Sequence, residues 1–292
     1  MMTPRLTCLL ALCCALSTTP HAGAHHPGHV RQGPDSNAMV AAQLTFEHAE
    51  FDILSRRGTW TRMSLEAAYA PLSWLILTAN VPFAWVRESG KQEVAGLTDM
   101  ELGVMFRPFS ATSQRFILEV GMQVELPTGD VDGGLGGGHL ALIPKVRGII
   151  RATDAVQVHG ELYVASALGA HGHAPGSWHS MLAIHPLHEL GVRVTGRYTD
   201  DQFTVGAGLS TLQGLSAPQA SGPTSALLEG TVTLVDDWMV TADFEVPFAG
   251  ERRTDWRVSL GVGWRFSPEE AADCGCGAPD ACDCSGECQD CE

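Results

Sequence analysis

Cysteine is missing from the whole central part of the chain. Of the 292 residues, nine are cysteines, and they are confined to two terminal segments. Three lie near the start and six near the end: Cys8, Cys13, Cys14, Cys274, Cys276, Cys282, Cys284, Cys288 and Cys291. The residues between 15 and 273 therefore form no disulfides, and their fold must depend on hydrogen bonds and burial.

Long apolar runs are also absent once the first residues are set aside. Residues 1–24 have the pattern of a secretory signal peptide, with Arg5, an apolar run over 6–16 and an Ala22-Gly23-Ala24 cleavage motif. After residue 24 there is no run of about 18 apolar residues, which excludes a membrane-spanning helix there. If the mature chain spans a membrane, it must do so with strands.

Basic residues are scarce. The chain has 18 Lys and Arg residues against 33 Asp and Glu residues, a formal net charge of -15. This balance argues against a nucleic-acid partner, because phosphate binding depends on clustered Lys and Arg. Eight acidic residues and no basic one lie in 267–292, which makes this segment an acidic, cysteine-rich tail.

What the chain does have is strict alternation, and 256–266 shows it most clearly. Large apolar residues occupy the even positions of this segment, while arginine, serine and glycine occupy the odd ones. Successive side chains of a strand point to opposite faces, so one face is wholly apolar, with Trp256 and Trp264 near its ends. Such a face, about ten residues long, is typical of a membrane-spanning strand. Phe266, at the end of this segment, resembles the aromatic signal that the barrel assembly machinery recognises. The resemblance implies that machinery as a partner.

Twelve alternating segments lie between residues 38 and 266. They cover 38–48, 59–69, 74–86, 98–107, 115–126, 139–150, 155–168, 188–198, 202–213, 225–235, 238–248 and 254–266. Short connections alternate with long ones, as in outer-membrane barrels with short periplasmic turns. We predict an all-β fold: a transmembrane antiparallel up-and-down barrel of about 12 strands over 38–266, with both termini periplasmic. Pro82 and Pro144 must then lie at bulges or strand ends.

Three short motifs within this region point to a known family. They are Val81-Pro82-Phe83, Gly96-Leu97-Thr98-Asp99 at the start of one strand, and Leu126-Pro127-Thr128-Gly129-Asp130 at the end of another. With them, the chain resembles over 38–266 the bacterial outer-membrane transporters grouped with the phenol-degradation meta-pathway family. The resemblance implies a barrel that passes small compounds, with no catalytic residues to assign.

The polar faces of the predicted strands define the inside of the barrel. They carry both signs of charge: Glu66, Glu101, Arg107, Glu119, Glu125, Lys145, Arg147, His159, Glu161, Arg193, Arg197, Glu229, Asp243, Glu245, Arg257 and Arg265. Eight strands enclose an interior filled by side chains and sixteen leave a water channel, so twelve is intermediate. Two interpretations stay open: these residues line a narrow, weakly selective pore, or their salt bridges close the lumen.

The tail is the first candidate metal site. Its cysteines follow a C-x-C, C-x-C-x3-C-x2-C series through Cys274, Cys276, Cys282, Cys284, Cys288 and Cys291. Thiolates one or two residues apart can converge on a soft ion such as Zn, Cu or Cd. The oxidising periplasm favours disulfides instead, so both outcomes stay open.

Histidines give a second candidate metal site. Residues 25–37 are rich in His, Pro and Gly and are predicted to be disordered, like the tail. Cleavage after Ala24 exposes His25, His26 and His29, whose imidazoles suit Cu, Ni or Zn.

The glycine-rich segment 129–138 fits neither a phosphate loop nor a calcium loop, and we predict a flexible external loop there.

Three functions follow from these patterns. The first is an outer-membrane channel or transporter of small solutes, linked to transition-metal handling through its termini. The second is a non-conducting barrel that anchors a metal-binding or disulfide-bonded tail. The third is a lipid-modifying enzyme, which no Gly-x-Ser-x-Gly motif supports, so we predict no enzyme. We expect no required cofactor, and outer-membrane lipid with small solutes or metal ions as partners.

Overall fold

The computed structural model describes residues 39–53, 56–72, 74–108, 115–131, 133–168, 188–200, 202–215, 222–234 and 238–266. Their regular structure is all strand: β1 (Met39–Ile53), β2 (Arg56–Leu72), β3 (Leu75–Glu88), β4 (Val94–Leu97), β5 (Met100–Phe106), β6 (Phe116–Leu126), β7 (Leu140–Arg151), β8 (Val156–Leu168), β9 (His188–Thr199), β10 (Phe203–Gly214), β11 (Thr224–Thr233), β12 (Trp238–Ala249) and β13 (Trp256–Phe266). No helix in the described part of the chain has the length and apolarity to cross a bilayer.

The strands close into a cylinder. Each pairs antiparallel with its neighbours, and β13 returns to β1 over eleven residue pairs, from Val40 with Phe266 to Glu50 with Trp256. Both β4 and β5 pair with β3, so they form two parts of one interrupted barrel strand. The result is a closed 12-stranded antiparallel barrel, which confirms the predicted fold class.

The observed strands follow the predicted segments closely, with two informative differences. The β1–β2 hairpin is longer than predicted, because it stays paired out to Ile53 and Arg56. The fourth barrel strand is interrupted between Leu97 and Met100, and Pro82 lies opposite this break.

The prediction that Pro82 and Pro144 lie at bulges or strand ends is wrong: they lie inside β3 and β7 and stay in register with Ser64 and Met122. A proline has no N–H to offer a ladder, and Pro82 faces the interrupted strand on its other side, where that N–H is not needed.

The two faces of the barrel wall have opposite chemistry. The outward face exposes large apolar side chains: Leu44, Phe46, Leu65, Leu77, Leu102, Phe106, Val120, Val146, Val194, Leu209, Leu228, Phe244, Leu260 and Val262. The inward face buries charged and polar ones, among them Glu47, Arg62 and Gln123. A soluble barrel would reverse this arrangement, whereas a lipid-facing surface requires it.

The two ends of the barrel differ in their connections. The turn end carries the short connections near residues 74, 153 and 201, together with both ends of the described chain. The loop end carries longer connections, such as the one that follows β6. Trp74 stacks on Phe106 at the turn end, with ring centroids 6.2 Å apart. Trp60 lies at an inward-facing position of β2 and is buried, so it does not belong to an outer aromatic belt.

Candidate channel lining

The predicted lining residues all occupy inward positions of the wall. Ten of them are buried: Glu66, Glu101, Arg107, Glu119, Glu125, Lys145, Glu161, Arg193, Arg197 and Glu229. The other six, Arg147, His159, Asp243, Glu245, Arg257 and Arg265, are partly buried. Strand alternation places them there, because every second side chain of a strand points to the same face.

A first ion-pair network runs from Arg107, directly after β5, across β6, β7 and β8. Glu119 accepts from Arg107 at 2.7 Å and from Arg147 at 2.8 Å. Arg147 also pairs with Glu161 at 3.1 Å. The network therefore alternates in sign around the wall, and each of its central groups has two partners of opposite charge.

A second network spans β9 to β11 and passes over β10. Glu229 pairs with Arg193 at 2.8 Å and with Arg197 at 2.5 Å. Gly206 of β10 lies beneath this contact, and a Cβ atom there would come within 2.7 Å of Glu229 Oε1. The glycine thus makes room for side chains that lie along the wall.

A third network joins β2, β1, β13 and β12. Glu47 pairs with Arg62 at 2.8 Å and with Arg257 at 3.2 Å, and Arg257 also pairs with Glu245. Sequence reasoning missed Glu47 and Arg62, although both lie on the polar parity of their predicted strands. Arg62 lies on the same face of β2 as Glu66, which was predicted correctly. Extending the alternation along each predicted strand would have found both residues.

One part of the lining has a different composition. Glu66, Asn80, Glu101 and Glu125 lie directly opposite one another on β2, β3, β5 and β6. We call these four residues the acid row. All four side chains are almost fully buried. Glu66 accepts from the Thr45 hydroxyl at 3.2 Å, and Glu101 accepts from the Gln123 amide.

A lysine lies beside the acid row. Lys145 of β7 donates from Nζ to Gln123 Oε1 at 2.7 Å, and Gln123 connects it to Glu101. The amide thus relays a hydrogen bond between a base and an acid on different strands.

The loop end of the interior is apolar. Phe51, Trp60 and Val86 form a buried cluster there, and Leu135 from the β6–β7 connection completes it with 3% exposure. The same connection is anchored to Asp99, which accepts from Gly129 N at 2.8 Å and from Gly137 N at 2.5 Å.

The glycine-rich segment 129–138 therefore differs from the flexible external loop expected there. Its described residues fold inward onto the interrupted strand. Gly129 also packs closely on Gly136, and a Cβ atom at position 129 would lie 2.7 Å from Gly136 Cα. Glycine serves here for close backbone approach rather than for flexibility.

The predicted metal ligands lie elsewhere. His25, His26, His29 and the six tail cysteines fall outside the described residues. Within the part of the chain that the structure describes, no three His, Cys, Asp or Glu side chains converge on a common metal position.

Comparisons with known proteins connect this barrel to outer-membrane channels. No family model matches the chain, and no curated protein does. Among solved structures, an outer membrane channel from Pseudomonas putida F1 has 15% identity and a TM-score of 0.61, covering 82% of this chain and 100% of that one. The KdgM porin has 14% identity and a TM-score of 0.51, covering 77% and 99%. The NanC porin has 8% identity and a TM-score of 0.51, covering 78% and 99%.

These structures are channels and porins, and at such identities the likeness shows the fold alone. The chain therefore has the closed β-barrel fold of these outer-membrane channel and porin structures.

Proposed function

We propose that this protein is a channel of the bacterial outer membrane that passes small solutes through a narrow lumen. The observation that carries the proposal is the direction of the interior ion pairs. Arg107, Glu119, Arg147 and Glu161 join each strand to the next, so their contacts run along the wall. Side chains held in this way line a passage around its circumference.

Interior glycines support the same interpretation. The Gln43 amide reaches Thr241 Oγ1 at 3.2 Å across β13, where Gly261 leaves the necessary space. Arg197 and Glu229 cross β10 over Gly206 in the same manner. Where glycines leave such space, long side chains of the lining lie along the wall, which keeps their charged ends away from the barrel axis.

The extent of burial indicates how wide the passage is. Interior charges such as Glu119 and Arg193 are at most 5% exposed, so the lining is closely packed. Twelve strands lie between the filled interior of eight-stranded barrels and the aqueous lumen of sixteen-stranded porins. We therefore propose a passage for small compounds, not for bulky ones.

The orientation in the membrane follows from the connections. Both described chain ends, Met39 and Phe266, lie at the turn end. Outer-membrane barrels place short turns in the periplasm and long loops outside the cell. We propose the same orientation here, which puts the cysteine tail and the histidine-rich start beside the periplasmic mouth.

Conductance across planar lipid bilayers tests the channel proposal. Purified refolded barrel should produce discrete current steps, and heat-unfolded protein from the same preparation should produce none. Folding is checked independently by the shift in gel mobility between unheated and boiled samples. Correctly folded, inserted barrel without current steps would contradict the proposal and favour the non-conducting anchor.

Metal handling by the termini is a second proposal, supported by the C-x-C spacing of the tail. We propose that its six thiolates bind a soft ion such as Zn, Cu or Cd close to the periplasmic mouth. Metal analysis of the reduced full-length chain should find bound ion, and a variant with all six tail cysteines changed to serine should lose it. Three disulfides and no stoichiometric metal would contradict this proposal.

A further inference from the structure

The β6–β7 connection lies inside the mouth of the barrel at the loop end. Its described residues are 127–131 and 133–139. Gly96 occupies an inward position of β4, opposite the buried Ala84 of β3. A Cβ atom at Gly96 would lie 3.1 Å from Leu135 Cδ1, so the connection covers the inner surface of β4.

Leu135 carries the connection further around the mouth. Its side chain is buried in one cluster with Phe51 of β1, Trp60 of β2 and Val86 of β3. The interrupted strand, made of β4 and β5, lies between β6 and these three strands. Leu135 therefore reaches across the interrupted strand to its far side, and the connection occupies part of the cross-section of the mouth.

The break in the wall holds the connection near both of its ends. Asp99 lies in this break and is 1% exposed. Its carboxylate accepts from Gly129 N at 2.8 Å and from Gly137 N at 2.5 Å, and hydrogen bonds to a carboxylate are stronger than neutral ones. Asp130 N also donates to Leu97 O at 3.0 Å. One side chain of the wall thus ties together the beginning and the end of the connection.

Hydrogen bonds within the connection fix its shape. Asp130 O accepts from Leu135 N at 2.7 Å and from Gly136 N at 3.1 Å. Asp130 Oδ1 accepts from Gly133 N at 2.9 Å. Gly134 has a φ of 75°, a left-handed conformation that glycine adopts without strain. These contacts give the connection one defined conformation, so the mouth is narrowed in a defined way.

We propose that the β6–β7 connection is the constriction of the channel, an inference that rests on the proposed channel function. Asp99 and Leu135 are then specificity-determining residues, because they hold the connection inside the mouth. Long side chains elsewhere in the lining lie along the wall over Gly206 and Gly261, whereas the connection extends inward from it. The largest solute that passes is therefore set at the connection, by size rather than by charge.

Swelling of vesicles that contain the barrel tests this size limit, with arabinose, glucose and sucrose as probes of increasing size. The original protein should admit arabinose and exclude sucrose. Asp99→Asn leaves one acceptor for two backbone N–H donors, and Leu135→Ser removes the apolar contact. Each variant should lose the exclusion of sucrose. Single-channel current should rise about twofold, because the current through a narrow passage increases with its cross-section.

Glu93→Gln is the matched control. It makes the same carboxylate-to-amide change at the loop end, where Glu93 pairs with the exposed Arg87 at 2.7 Å. This variant should keep both the size limit and the current of the original protein. The shift in gel mobility between unheated and boiled samples checks that every variant is folded.

Thiol labelling shows independently whether the connection has been released. In a chain whose tail cysteines are replaced by serine, Leu135→Cys should be protected from a water-soluble thiol reagent. Adding Asp99→Asn should make position 135 reactive. If reactivity rises while the size limit and the current stay unchanged, or if position 135 stays protected, the inference is wrong and the channel proposal stands. If no folded barrel passes ions or sugars, the channel proposal fails and the inference fails with it.

Discussion

Buried acidic side chains have different hydrogen-bond partners in two parts of the inner wall. Glu229 lies between two arginines on β9, with ion-pair distances of 2.8 and 2.5 Å. Glu66 and Glu101 lie in a row of acids and receive hydrogen bonds from neutral groups. The comparison separates two settings of a buried acid: one between two arginines of another strand, and one in a row of polar side chains that face each other on successive strands.

The largest difference between the two parts should appear in stability. Glu229→Gln leaves Arg193 and Arg197 without their buried counter-charge, and such a loss costs about 3–5 kcal/mol. Glu66→Gln keeps an acceptor for the Thr45 hydroxyl, so its loss of unfolding free energy should be smaller. Urea unfolding of the barrel in detergent, followed by tryptophan fluorescence, measures both. Equal losses of unfolding free energy would abolish the distinction.

A smaller effect is expected at the glycines beneath the paired acids. Gly206→Val forces a side chain against Glu229 and Arg197, and overpacking of this kind costs about 1–3 kcal/mol. Gly196→Val is the matched control on the neighbouring strand, since a Cβ atom there meets nothing within 4 Å. The same unfolding experiment should show little change for the control. A comparable loss at both positions would mean that Gly206 makes no special room.

The smallest change, with the opposite sign, is expected at Asn80. Asn80→Leu replaces an amide without a described partner by an apolar group of similar size, which is neutral or stabilising by up to about 1 kcal/mol. A clear loss of stability would show that the amide makes a contact on which the fold depends.

Much of this architecture follows from alternation alone. Period-2 patterning located every barrel strand and assigned Glu66, Glu101 and Glu229 to the inward face, because parity depends only on neighbouring residues. It could not pair them, since the register between strands depends on closure of the whole barrel. The acid row joins β2, β3, β5 and β6 across almost sixty residues of chain.

The loop end was harder to predict for a related reason. Asp99 accepts hydrogen bonds from Gly129 and Gly137, 30 and 38 residues further along the chain. The glycines of that connection looked like signs of flexibility because their partner is remote in sequence. Only the three-dimensional contact shows that they allow close backbone approach.

Thiol labelling at position 80 tests the central claim most directly, namely that the polar face of the barrel wall lines an interior that water reaches. In a chain whose tail cysteines are replaced by serine, Asn80→Cys should react with a small, water-soluble thiol reagent. Leu65→Cys, on the lipid-facing side of β2, should not react with it once the barrel is in vesicles. Labelling at position 65 with protection at position 80 would contradict the account.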